Sequence, residues 1–182
     1  MTGIVDRLPE LLATDGDRQY GEEAVSQGGQ APPCAASAAD AEAPATVLAA
    51  ALLHDISHPL HRMGDRPALR VIDDQHQKLG AELLLHDFGP AVAEPARLHV
   101  DASNLRVRDR DCCCRSPASM RSLGLQGGLF GPVEAAAFRA LPSADDTIRV
   151  RLRDDTAKIA GRRTPPLEHL RPALEAALTT QE

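Results

Sequence analysis

The apolar positions of the chain recur three and four residues apart and nowhere alternate over a strand's length, so the pattern predicts helices throughout. Ile4 to Leu12 is the first, with Pro9 early in it and the turn formers Thr14-Asp15-Gly16-Asp17 behind it. Tyr20 to Val25 is a short polar segment. Between Ser26 and Pro33 the pattern breaks. Gly28 and Gly29 each cost a helix about 1 kcal/mol, and interior prolines such as Pro32 and Pro33 about 3 each. Ala35 to Ala45 is mostly alanine, with a weakly defined register, so 26–46 as a whole reads as irregular. Val47 to Leu53 is apolar on every side, the mark of a buried helix. After the loop Pro59 to Pro67, Asp73-Asp74 caps a helix from Gln75 to about Leu85. Phe88-Gly89-Pro90 stops it and starts another, Ala91 to about Val100. The segment 103–116 has neither period and reads as an irregular surface stretch. Helices are expected from Pro117 to Leu125, from Val133 to Leu141 behind Pro132, and from Leu167 to Leu178 behind Pro165-Pro166. Another runs from Asp145 to about Ile159, opened by an acidic capping box of Ser143 and Asp146. The expected architecture is a single all-α domain, a bundle of roughly seven to nine helices given ordinary helix and loop lengths.

Composition supports that class. Aromatic residues are 2% of the chain, with no Trp, so the core must be built from Ala, Leu and Val, which favours helices over strands. A net charge of −6 argues against nucleic acid or an anionic membrane surface as the main partner. No apolar run approaches the ~20 residues of a membrane span, and the first residues lack the charged-then-apolar pattern of a secretory leader. The cysteines are Cys34 and the run Cys112-Cys113-Cys114, which matches neither a disulfide framework nor a spaced-pair zinc site. A reducing, cytoplasmic location is expected.

Candidate chemistry begins where the apolar helix ends, in Leu53-His54-Asp55-Ile56-Ser57-His58. A carboxylate at the buried end of a helix is costly unless it is paired or bound to a cation. Neighbouring His and Asp side chains diverge by roughly 100° on a helix, so both reach a cation lodged against one edge. With His76, His99 and Asp154, His54, Asp55 and His58 form a set of ligand types spread over four expected helices, which is how bundles build metal sites. Mixed His and carboxylate donors without Cys suit iron or manganese, with magnesium or zinc as alternatives. His61, His86 and His169 have no place in the set and are read as surface residues. Lys158, four after Asp154, fits an ordinary helix ion pair.

His54-Asp55, followed by His76, His99 and a late Asp154, resembles the HD-domain superfamily, and Leu53 to His58 resembles its "HDIGH" signature with Ser57 where Gly is usual. Tyr20-x-x-Glu23, His76, His99, Ser122-x-x-x-Gln126-Gly127-Gly128 and Arg151-x-x-Asp154-Asp155-x-x-Lys158 are similar to a subgroup associated with phosphonate degradation. Some members of that subgroup are mixed-valent diiron oxygenases that cleave carbon–phosphorus bonds. The resemblance implies two irons bridged by Asp55, the first held by His54 and Asp154 and the second by His76 and His99. It implies a lid of Tyr20 and Glu23, and His58, Ser122, Gln126 and Arg151 as ligands of a small hydroxylated phosphonate, with O₂ as co-substrate. Two positions depart from the subgroup's pattern. Gln30 stands where a His seven residues after the Glu ligates the first metal, and Ser103 stands where a Lys follows the His99 position by four. Two other functions share these residues: an HD phosphohydrolase acting on a phosphate ester, and a bundle without catalysis because of Gln30.

Overall fold

The computed structural model describes residues 3–13, 27–57, 76–105, 128–157 and 166–179. Among them are eight helices and no strand: α1 (Ile4–Ala13), α2 (Gln27–Asp40), α3 (Ala45–Leu53), α4 (His76–Phe88), α5 (Pro90–Asn104), α6 (Pro132–Arg139), α7 (Ala144–Ala157) and α8 (Leu167–Ala177). The all-α expectation therefore holds. None of these helices is long and apolar enough to cross a membrane.

The helix without a polar face takes the middle of the molecule. Every residue of α3 from Val47 to Leu53 is buried, and the helix packs against α2, α5, α7 and α8. Ala49, Ala50 and Ala51 let neighbouring backbones approach closely, while Leu52 and Leu53 fill the space between them. Each such leucine contributes about 1.5–3 kcal/mol by leaving water. The main core is, as the composition requires, largely Ala, Leu and Val, with Phe88 its one large aromatic.

Helix α2 differs from the expectation. It runs unbroken through Pro32 and Pro33, where local propensity predicts a break. Each proline removes one intrahelical hydrogen bond, to the carbonyls of Gly28 and Gly29. What sustains the helix is tertiary: Ala31, Cys34, Ala35 and Ala38 are buried in the main core, against α3 and α7. A half-buried hydrogen bond between the Ser37 and Thr156 hydroxyls, 3.2 Å apart, ties α2 to α7. Packing supplies most helical stability in proteins, and here it outweighs propensity.

One turn and a smaller core fix the remaining elements. Gly89 joins α4 to α5 at φ 68°, and Pro90 opens α5. A Cβ at position 89 would lie 2.7 Å from Thr179 Cγ2, so glycine is needed for both conformation and space. The Thr179 N–H and hydroxyl both donate to the Asp87 carbonyl, each at 3.0 Å, which pins the segment after α8 to this turn. A smaller core of Leu98, Ala102, Leu105, Phe138 and Ala144 joins α6 to the ends of α5 and α7. Helix α5 continues to Asn104, so residues 103 and 104, expected to be irregular, are helical and buried. At the start of α7 the anticipated capping box is not formed: Asp146 pairs forward with Arg149 at 2.8 Å, and the Ser143 carbonyl receives the Thr147 N–H and hydroxyl. The expected helix 117–125, the run Cys112-Cys113-Cys114 and the loop 59–67 lie outside the described residues.

Candidate metal centre

Helix α3 ends at Leu53, and residues 54–56 turn away from its axis, the Ile56 N–H returning to the Leu53 carbonyl. His54 and Asp55 thus leave the C-terminal end of a buried helix, where the unpaired carbonyls favour positive charge. His54 is 1% exposed and Asp55 18%. His54 Nδ1–H donates to the Ala51 carbonyl at 3.0 Å, which turns Nε2 inward. His99, on α5, repeats the arrangement: its Nδ1–H donates to the Ala96 carbonyl at 2.6 Å. The two rings meet edge to face with centroids 4.8 Å apart.

Both Nε2 atoms converge on Asp55, from opposite oxygens. His54 Nε2 is 3.4 Å from Asp55 Oδ2, and His99 Nε2 is 3.6 Å from Asp55 Oδ1. Asp154, buried on α7, brings Oδ1 to 3.7 Å from His54 Nε2. The donor atoms of His54, Asp55 and His99 all lie within 4.8 Å of one another. Separations of 3.4–3.7 Å are long for hydrogen bonds. They are close to the spacing of two ligands each about 2.1 Å from one ion. His54 Nε2 is buried and makes no hydrogen bond with any described residue, leaving a lone pair aimed at the carboxylates. A nitrogen held this way, with its ring partner fixed by a backbone carbonyl, is how histidine presents itself to a metal.

The electrostatics agree. Burial pushes the His54 pKa down, but the Asp55 and Asp154 carboxylates and the Ala51 carbonyl together outweigh it and raise the pKa above the ordinary value. The pocket therefore favours a positive charge between these residues, whether proton or metal ion. Arg151 stands behind Asp154, with Nη1 2.9 Å from Asp154 Oδ2 and Nη2 2.5 Å from Asp155 Oδ1.

Of the residues singled out in the sequence, His54, Asp55, His99, Asp154 and Arg151 are brought together by α3, α5 and α7. His76 is the first residue of α4, and its side chain lies outside the described residues. Its helix runs past the His-Asp turn at Gly80, where a Cβ would meet the His54 carbonyl at 3.5 Å and Ser57 Oγ at 3.8 Å. Tyr20, Glu23, His58, Ser122 and Gln126 lie outside the described residues, as does the side chain of Gln30. Ser103 is buried one turn beyond His99, while His86 and His169 are exposed. Two residues near the site carried no role in the sequence reading. Gln77 is buried on the α4 face that bears Gly80, and its Oε1 accepts no hydrogen bond from any described residue. Asp155 is the second partner of Arg151, a relation already implicit in the spacing Arg151-x-x-Asp154-Asp155.

The same region carries the likeness to known proteins. Residues 31–154, which run from within α2 to within α7 and include all the clustered side chains, match the HD domain family. The hydroxymethylphosphonate dioxygenase of Gimesia maris is 36% identical over 177 residues, covering 96% of this chain and 88% of that protein. The [1-hydroxy-2-(trimethylamino)ethyl]phosphonate dioxygenase (glycine-betaine-forming) of Leisingera caerulea is 30% identical over 180 residues, covering 94% and 89%. With His54 and Asp55 at the end of its central helix and His99 and Asp154 facing them, this chain belongs to the HD domain family.

Proposed function

We propose that the protein is an iron-dependent dioxygenase that cleaves the carbon–phosphorus bond of a small phosphonate bearing a hydroxyl on the adjacent carbon. The observation that carries this reading is the placement of Asp55 between two imidazoles, one facing each of its oxygens. That is the disposition of a carboxylate shared by two cations, and both relatives quoted above act on hydroxylated phosphonates. In this reading His54 and Asp154 hold one iron, His76 and His99 the other, and Asp55 both. Bound iron would supply the redox chemistry with O₂ and draw the substrate's oxygens by its charge.

The chain's own residues would do the rest. Arg151, His58, Ser122 and Gln126 would bind the phosphonate and hydroxyl groups, with Tyr20 and Glu23 closing over them. The Ala51 and Ala96 carbonyls keep both imidazoles in one tautomer and orientation. The reaction balances without an external reductant. Hydroxymethylphosphonate and one O₂ would give formate and dihydrogen phosphate, with the carbon–phosphorus bond broken and one new oxygen bond made at each atom.

The test is phosphate release from hydroxymethylphosphonate by iron-loaded protein, with oxygen consumption followed in parallel. Equal amounts of phosphate and consumed O₂ are expected, with no turnover under anaerobic conditions. Phosphate release without O₂ would overturn the oxygenase, because the carbon–phosphorus bond would then be hydrolysed and not oxidised. Gln30 motivates one second reading, a bundle that binds a cation but does not turn over. Fewer than two irons per chain under iron-replete conditions, with no turnover, would favour it.

A further inference from the structure

We infer that Asp155 is a positioning residue, acting through Arg151 to decide which oxygen of Asp154 faces the metal centre. The inference rests in part on the reading above, because it takes Asp154 as a ligand. On α7 the three residues stand at i, i+3 and i+4, so both carboxylates share the helix face of Arg151. The two terminal nitrogens of the guanidinium reach different carboxylates. Nη1 goes to Asp154 Oδ2 at 2.9 Å, and Nη2 goes to Asp155 Oδ1 at 2.5 Å. Two separate tethers on a rigid planar group fix its orientation, which a single contact would leave free to rotate.

Two consequences follow for Asp154. Its Oδ2 is occupied by Arg151, while its Oδ1 faces His54 Nε2 at 3.7 Å. The Oδ1 atom is therefore the oxygen turned toward the His54 side of the centre. The second consequence concerns charge. Arg151 alone would neutralise Asp154 and weaken it as a ligand, whereas Arg151 shared between two carboxylates leaves the trio with one net negative charge. Burial supports this division of roles: the side chains of Asp154 and Arg151 are 5% and 11% exposed, and Asp155 is 32% exposed, an outer anchor for an inner pair.

The experiment uses the full chain and four proteins: wild type, Asp155→Ala, Asp155→Asn and Asp155→Glu. Retention of Mn(II), as an air-stable probe, is measured by competition with a chelator, beside thermal unfolding of the metal-free proteins. Residues that orient a metal ligand from behind typically change metal affinity 10- to 100-fold. Asp155→Ala and Asp155→Asn should each weaken retention about tenfold, with metal-free unfolding temperatures near that of wild type. Asp155→Glu, which still reaches Arg151, should recover most of the loss. Wild-type retention in all variants would overturn the role of Asp155. So would a loss that tracks the unfolding temperature and is not recovered by Glu. In either case phosphate release by the iron-loaded wild type would leave the proposed function standing. A wild type that retains no metal would sink both.

Discussion

Helices α2 and α3 pack against each other and are held in place by opposite means. In α3 local and tertiary preferences agree: most of its residues are the good helix formers Ala and Leu, all seven from Val47 to Leu53 are buried, and the helix packs against four others. In α2 they conflict. Two glycines and two prolines weaken the helix from within, and only a face of alanines and Cys34 pressed against α3 and α7 keeps it formed. The division coincides with the chemistry. The α3 end carries His54 and Asp55, the His54 ring aligned by its hydrogen bond to the Ala51 carbonyl, while α2 carries Gln30 where the HD subgroup that the chain resembles has a ligand. The stable helix bears the intact half of the proposed centre, and the strained helix bears the altered half.

The contrast can be broken hardest from the α3 side. Leu52 is fully buried on the central helix, and its truncation to alanine leaves a cavity that neighbours on several helices would have to fill together. Leu52→Ala should cost about 2–5 kcal/mol of stability, read by chemical denaturation. Metal retention should fall with it, because His54 lies two residues further on. A loss well under 1 kcal/mol would mean that α3 is not the centre on which the other helices depend.

A smaller effect of opposite sign is expected in α2. Pro32 is half-buried, and its ring deprives the Gly28 carbonyl of a hydrogen bond. An interior proline costs about 3 kcal/mol, of which about 1 is recovered because proline also restricts the unfolded chain. Pro32→Ala should therefore stabilise the protein by about 2 kcal/mol, measured by thermal unfolding. A lower unfolding temperature would show that the proline ring packs usefully and that α2 is not strained.

These two helices also mark what could be read in advance. The burial of α3 was legible because an apolar segment without a polar side admits few other placements, and its His-Asp ending pointed to a cation once His76, His99 and Asp154 were set beside it. The starts of α6 and α8 were legible from Pro132 and from Pro165-Pro166, which fit a first turn and little else. The helicity of α2 was not, because its cause lies in the surfaces of α3 and α7, outside the segment itself. The same holds for the last turn of α5, whose Asn104 carbonyl receives the Phe130 N–H from a segment 26 positions later. Arg151 shows another limit. Its spacing to Asp154 and Asp155 was visible, but which nitrogen serves which carboxylate depends on the packing of α7 against α5 and α2.

The finest probe of the contrast lies at its junction. Helix α2 packs against α3 and α7, which carry His54 and Asp154, and the resemblance to the HD subgroup implies a further donor to the same ion from its first turn. Gln30 occupies that turn. A neutral amide oxygen is a weaker ligand than imidazole for iron or manganese. Gln30→His should therefore raise retention of the more weakly held of the two metals by about tenfold, the order of effect known for single changes around a metal site. The other metal, held in the proposed scheme by His76, His99 and Asp55, should be unaffected. Chelator competition resolves the two when the metals leave in separate steps. An equal shift in both steps would mean that position 30 acts on the fold of α2 rather than on one ion. No shift in either would mean that the start of α2 does not face the centre, and the weakness of this helix would then be structural alone.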